Sequence, residues 1–304
     1  MDQSKMTFLQ NVLKFSASHT EQTNTDDETK NEKREISPER RKWLSEALDS
    51  MSINPIDEIK KCLKVLESSD ETEERRIEAL ETLRDWCEDI NFAIDFHKLT
   101  EYNILTSLLN DKNPEIKALC CELIGTLAQN NPYCQETLLN AKFMPIILYK
   151  LDKDSDNVKV KALFALSCLV RDYEIGQNKL LEGNALDILI RTLDTSVEKL
   201  KIKCCFLISS ICNNSAIKNA LTERKLIKNL VNLYQENDHD IHEHILSAIN
   251  ILIDNNPKAI QQAKEMEVNF KHILNNRIQL IKGDERHLEE FEMASKIFQS
   301  LFQN

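Results

Sequence analysis

The sequence predicts an all-α fold, a helical solenoid closed at each end by helical caps, and three observations predict it. A pattern of two apolar residues, two spacers and a third apolar residue returns along the chain. It stands at Ala79-Leu80-x-x-Leu83, Leu123-Ile124-x-x-Leu127, Ala165-Leu166-x-x-Leu169, Leu207-Ile208-x-x-Ile211 and Ala248-Ile249-x-x-Leu252. From Leu80 to Ile124 is 44 residues and the later steps are 42, 42 and 41, the spacing of helical repeats of about 40 to 47 residues. Four glycines and six prolines in 304 residues are too few for the turn chemistry of a β-protein. The stretch VKVKALFALSCLVRD, residues 158–172, carries Val160, Leu163, Phe164, Leu166, Leu169 and Val170 at helical spacings but on more than one face. A surface helix needs one apolar stripe, whereas a helix held between two neighbours needs more.

The elements follow in order. Residues 1–15 form an amphipathic segment, with Phe8, Leu9, Val12, Leu13 and Phe15 spaced for two helical turns. Such an island either docks on a partner as a linear motif or packs on the body as a terminal helix. Residues 16–35, SASHTEQTNTDDETKNEKRE, hold a single aliphatic side chain and read as a disordered acidic and polar linker. The solenoid is expected over 36–304. In its amino-terminal cap, 36–72, Ser37 is a good N-cap, Pro38 suits the first helical position, and Ile36, Trp43, Leu44, Ala47 and Leu48 give a face for the first repeat.

The repeats run from about 73 to 267, each read as a long helix, a turn, a short helix and a second long helix. In the third copy these are 158–171, a turn around Asp172, 174–182 and 184–194, with Gly183 as the breaker. Cys120-Cys121 returns as Cys204-Cys205 two periods on, and Asn130-Asn131-Pro132 returns as Asn255-Asn256-Pro257 three periods on. The carboxy-terminal cap, 268–304, reads as helices 268–281 and 285–302 broken at Gly283-Asp284. Its second helix carries Leu288, Phe291, Ile297, Phe298, Leu301 and Phe302.

Composition excludes several functions. Fifty acids against 39 bases give a net charge of −11, a field that repels nucleic acid and anionic membranes. No run reaches the roughly 18 to 20 apolar residues of a membrane span, and the first twenty residues lack a secretion signal, so a cytoplasmic or nuclear location is expected; the chain is expected to be a monomer. Neither GxGxxG nor GxxxxGK[ST] occurs, so nucleotide cofactors are not expected. Nine cysteines, an odd number set in helical patterns, read as reduced, small apolar residues. In HDIHEH, residues 239–244, His239 with His242 or Asp240 with His244 share a helix face. No further ligands complete a metal site there, and the segment reads as a solvated helix start. Cys168 has no histidine nearby to activate it, so no enzyme, cofactor or metal is expected.

Solenoids bind partners on the surface that one helix of each repeat lines. Steps of three to four residues from Phe164 lead to Lys161, Cys168 and Arg171. One period earlier the track holds Glu122, Thr126 and Gln129, and one period later Lys203, Phe206, Ser210 and Asn213. Two phenylalanines beside lysines and an arginine suit a protein interface better than a catalytic pocket. Phe164 and Phe206 are open to two readings, core or contact.

Several stretches resemble one known family: SPERRKWLSEAL (37–48), KKCLKVLES (60–68), LIGTLAQNNP (123–132), VKVKALFALSCLVRD (158–172), EKLKIKCCFL (198–207) and HEHILSAI (242–249). In order and spacing they resemble the armadillo-repeat nucleotide exchange factors of heat-shock protein 70, the cytosolic Hsp70-binding-protein and Fes-type family. NVLKFSAS (11–18) resembles the family's amino-terminal segment. The resemblance implies a right-handed armadillo-like solenoid whose concave face grips one lobe of the chaperone's nucleotide-binding domain and displaces the other, releasing ADP without covalent chemistry. It also implies that Phe8 to Phe15 help free bound client. The alternative is an armadillo adaptor that binds an extended peptide or folded partner without exchange activity. Peptide-binding armadillo proteins hold the peptide backbone with repeated Asn and Trp, and that ladder is missing here, where Phe164 and Cys168, Glu122 and Thr126, Phe206 and Ser210 stand.

Overall fold

Asparagines punctuate the helices. The side chains of Asn54, Asn113, Asn131, Asn214 and Asn256 each accept a backbone N–H of the helix that follows, and at Asn54, Asn113, Asn131 and Asn256 a proline occupies the first turn. The side chain satisfies a donor the helix cannot, and the proline gives up one that would otherwise be orphaned. The computed structural model describes residues 54–236 and 241–303. The expected amino-terminal segment (Phe8, Leu9, Val12, Leu13, Phe15), the linker, the helix at 37–48, His239 and Asp240 lie outside the described residues.

Seventeen α-helices and no strand occur among the described residues. Helix α1, Pro55–Glu67, comes first. Five layers follow: α2 Glu73–Trp86 with α3 Ile90–Thr100 and α4 Asn103–Leu109; α5 Pro114–Ala128 with α6 Pro132–Asn140 and α7 Phe143–Lys153; α8 Asp156–Val170 with α9 Glu174–Leu180 and α10 Ala185–Thr192; α11 Glu198–Ile211 with α12 Ser215–Glu223 and α13 Leu226–Glu236; α14 His242–Ile253 with α15 Pro257–Glu265 and α16 Glu267–Ile281. A 3-10 turn, Glu285–His287, leads into α17, Leu288–Phe302. The first helix of each layer packs on the first helix of the next, from α2 through α5, α8 and α11 to α14, and α17 takes the following place against α14. Helix α1 covers α2 at the other end.

This stacking explains the wide apolar face of residues 158–172. Helix α8 lies between α5 and α11 and against α7, and Val158, Val160, Ala162, Leu163, Ala165, Leu166, Leu169 and Val170 are all buried. The two short elements of the third copy are shorter than the sequence suggests. Helix α9 ends at Leu180 rather than 182, and α10 spans Ala185–Thr192 rather than 184–194. Gly183 is left-handed, φ +62°, and the turn it makes uses residues on both sides. The same register is left-handed at Lys142 (φ 63°) and Lys225 (φ 58°), positions where the chain accepts a conformation that disfavours a Cβ. The recurring Asn-Asn-Pro resolves into three roles: Asn130 and Asn255 are left-handed at φ 53° and 51°, the next asparagine caps, and the proline begins the helix. The paired cysteines repeat as well. Cys120 Sγ donates to Leu105 O at 3.5 Å, and Cys204 Sγ donates to Leu189 O at 3.3 Å.

The segment read as a solvated helix start is partly a buried one. His242, first residue of α14, is 6% exposed, and its Nδ1 donates to Glu290 Oε1 on α17 at 3.1 Å. Arg277 of α16 grips the same carboxylate with Nε and Nη2, both at 2.7 Å, and Tyr234 of α13 donates its hydroxyl at 3.4 Å. Burial would raise the carboxyl pKa, but the bonds from Arg277 and His242 together with their charge outweigh it and bring it down to about 2. The sequence concealed this cluster because its members come from four helices, up to 56 residues apart.

Candidate functional site

The candidate partner-binding surface is the open face of the long-helix layer, built by α5, α8 and α11 with contributions from α2 and α14. Each long helix turns its most apolar faces to its neighbours and leaves one strip, at every third or fourth residue, for solvent. The expected track falls on that strip in all but one place. Glu122, Thr126, Lys161, Phe164, Lys203 and Ser210 are partly exposed, and Gln129, Arg171, Phe206 and Asn213 are exposed. Cys168 is the correction. It is buried, with its thiol pushed up to about 11 by burial despite the nearby cations Arg171 and Lys203. Its sulfur faces the core, and its carbonyl accepts from Gln135 Nε2 of α6 at 2.8 Å.

The two phenylalanines divide between the two readings. Phe164 is half-buried against the core, and its ring lies over Gly125 of α5: a Cβ there would stand 2.4 Å from Phe164 Cε1. Phe206, 55% exposed, rests one side on the ring of His244 of α14, centroids 4.5 Å apart, and leaves the rest open. An exposed aromatic on a charged face is the type of side chain that anchors interfaces.

The cations are arranged unequally. Glu122 bridges two of them: Lys161 Nζ lies 2.6 Å from its Oε1, and Arg84 Nη1 of α2 lies 3.7 Å from its Oε2. Arg171 Nη2 donates to Ser167 Oγ at 2.9 Å, and Ser210 Oγ donates to Leu207 O at 2.8 Å within its own helix. Beside Glu122 opens a groove of about 580 Å³, lined among others by Arg84, Ile90, Glu122, Thr126, Gln129 and Phe164. Sequence reasoning missed Arg84, Glu88, Ile90 and His244. His244 stands one period, 41 residues, after Lys203 and was within reach of the repeat. Glu88 sits in the turn after α2 and Ile90 at the first position of α3, and the periodicity does not encode the direction of that turn. Among the described residues no group of His, Cys, Asp and Glu is placed to hold a metal ion, and no helix is long and apolar enough to cross a membrane.

Comparison with known proteins places these observations. Residues 9–96 match the model for the nucleotide exchange factor Fes1, and residues 91–219 match the SIL1/FES1/HPBP1 C-terminal domain. The chain is 32% identical over 283 residues to Hsp70-binding protein 1 of Rattus norvegicus, covering 88% of this chain and 79% of that protein. It is 28% identical over 168 residues to the Hsp70 nucleotide exchange factor FES1 of Coccidioides immitis, covering 55% and 79%. Among solved structures, a designed armadillo repeat protein in complex with peptide (KR)4 superposes with a TM-score of 0.66 at 20% identity, over 79% of this chain and 99% of that one. The likeness to the designed protein establishes the armadillo fold of the layers described above.

Proposed function

Because this chain belongs to the family of Hsp70-binding protein 1 and the Fes1-type nucleotide exchange factors, we propose that it is a co-chaperone that binds the nucleotide-binding domain of a cytosolic heat-shock protein 70 and promotes ADP release. It does no covalent chemistry, works in the cytoplasm and grips its partner with the open face of α5, α8 and α11. The observation that carries the reading is that face: an exposed phenylalanine, Phe206, among the cations Lys161, Arg171 and Lys203, next to a groove lined mostly by polar and charged side chains. In the same proposal residues 1–15 free bound client and 16–35 tether them to the solenoid.

The thermodynamics of exchange constrain the mechanism. A partner opens a nucleotide cleft only by binding the open state more tightly than the closed one. ADP must then weaken the factor's grip by the same coupling, typically about 1 to 3 kcal/mol. The layers supply a rigid template for this, since each long helix is clamped by its neighbours and cannot follow the partner back to the closed shape. Stopped-flow release of a fluorescent ADP analogue from cytosolic heat-shock protein 70 tests the reading. Release should accelerate with the concentration of this protein, and binding without acceleration would make it an adaptor on the same scaffold. Lys203, with no carboxylate partner among the described residues, is the surface cation to reverse. Lys203→Glu should raise the dissociation constant about tenfold or more by setting like charges together, while the melting temperature stays put. An unchanged titration would remove Lys203 from the interface.

A further inference from the structure

The open face carries more positive charge than the chain that bears it. Arg84, Lys161, Arg171 and Lys203 stand on it against Asp85, Glu88 and Glu122, in a protein of net charge −11. Charge at this range acts locally, because exposed charges beyond about 10 Å are screened at physiological salt. A surface of this composition therefore complements an acidic patch on its partner.

Within that surface Glu122 is placed unlike its repeat equivalents. The same register holds Phe164 one layer on and Phe206 the layer after. In their place Glu122 extends a carboxylate whose two oxygens face two cations from two other layers: Lys161 is tightly paired at 2.6 Å from one, and Arg84, whose Nε and Nη2 already donate to Asp85 Oδ1 at 3.0 and 2.8 Å, lies 3.7 Å from the other. Its side chain keeps 20% of its surface exposed, Lys161 31% and Arg84 27%, so the cluster lies open to the solvent of the adjoining groove rather than inside the core. The groove's volume of about 580 Å³ leaves room for further side chains beside it.

We propose that Glu122 is an internal stand-in for a partner carboxylate: it holds Lys161, and shares Arg84 with Asp85, in the free protein and gives way to an acidic group on the chaperone's nucleotide-binding domain. This rests on the exchange-factor reading and adds the chemistry of the patch recognised and a brake on its recognition. An acidic side chain arriving at the groove meets cations already paired and the Glu122 carboxylate, which repels it. Swinging Glu122 aside, toward the open groove, frees Lys161 and removes the repulsion, while Arg84 keeps only its solvent-exposed partner Asp85. The consequence is unusual for an interface residue, since removing its charge should strengthen binding.

The test is calorimetric titration of full-length cytosolic heat-shock protein 70, stripped of nucleotide, with the full chain and its Glu122→Gln and Glu122→Ala variants, from low to physiological salt. Each variant should bind about two- to fivefold tighter at low salt, the size of one lost competing ion pair of this exposure, and should show a steeper salt dependence. Adding Arg84→Gln and Lys161→Gln to Glu122→Gln should reverse the gain and fall below the parent. Melting curves establish that each variant is folded, and Glu122→Gln keeps the shape and hydrogen-bonding capacity of the site should Glu122→Ala loosen it. Weaker binding by Glu122→Gln would mean that Glu122 meets a partner cation, and unchanged binding that it lies outside the interface. Either overturns the stand-in while leaving the exchange-factor reading intact. Failure of the parent chain to bind the chaperone would sink that reading itself, and the stand-in with it.

Discussion

At the scale of single residues, the close approach of α5 and α8 is written into one pair. A Cβ on Gly125 would meet Phe164 Cε1 at 2.4 Å and Ala165 Cα at 3.3 Å, so glycine here serves a packing need rather than a turn. Gly125→Ala has two opposed effects. Alanine favours the helix by about 1 kcal/mol, while overpacking costs about 1 to 3 kcal/mol. The net expectation is a loss of about 1 kcal/mol in the parent and a gain of similar size once Phe164→Ala has cleared the space, a change of sign that urea unfolding of the four proteins in the cycle would reveal. Glu290 gives a second residue-scale expectation. Its carboxyl pKa is depressed in the folded chain to about 2 from an ordinary 4.5. Its contribution is therefore complete above the ordinary carboxylate range and is lost as pH falls from about 4.5 towards 2. Glu290→Gln should flatten that part of the stability curve and cost about 3 kcal/mol at neutral pH, since it leaves Arg277 buried without its counter-charge. Denaturant midpoints measured from pH 7 down to pH 2 would check both the slope and its loss.

At the scale of the element, the repeated asparagine caps are not equivalent. Asn256 is 5% exposed, accepts from Ala259 N at 3.2 Å and donates to Thr222 Oγ1 at 2.9 Å, so it ties α15 to α12 of the preceding layer. Asn214 caps α12 in a more open position and reaches only Gln177, at 3.4 Å, beyond its own helix. Asn256→Ala should cost about 2 kcal/mol and Asn214→Ala about 1 kcal/mol in urea unfolding. Equal costs would show that the cross-layer bond adds nothing. The caps also mark what was legible in the sequence. Residue type and spacing place Asn130-Asn131-Pro132 and its copy at a helix start, and the apolar period locates α5, α8 and α11 to within two residues. Helix ends beside Gly183 were less legible, because the length of a turn depends on how the flanking helices must cross rather than on local composition. The inward turn of Cys168 was illegible for a related reason: a position on the boundary between the open strip and the packed face goes whichever way the neighbouring layer allows.

At the scale of the whole molecule, each layer packs chiefly on its neighbours, with reaches such as Tyr234 of α13 to Glu290 of α17 as exceptions, so stability is largely a sum along the stack rather than the property of one core. The contact between α5 and α8 is the most extensive in the described chain, and the amides of those two helices should exchange with solvent more slowly than those of α1 or α17, a gradient that hydrogen exchange resolves helix by helix. Uniform protection would mean that the stack opens as one unit. The binding surface was legible to the extent that it follows the period, from Glu122 through Phe164 to Phe206. Its ionic bridge was not, because Arg84, Glu122 and Lys161 meet diagonally across three layers. The cysteines have a further consequence at this scale. All nine are buried, none is bonded to another, and burial raises every thiol pKa. They run from Cys62 to Cys212, so thiol-directed oxidants and alkylating agents find no cysteine target in the intact stack. Once a layer parts, it exposes a reactive sulfur that can be trapped before it recloses. The chain thus carries an indelible record of each opening from α1 to the start of α12, and none of openings in α14 to α17.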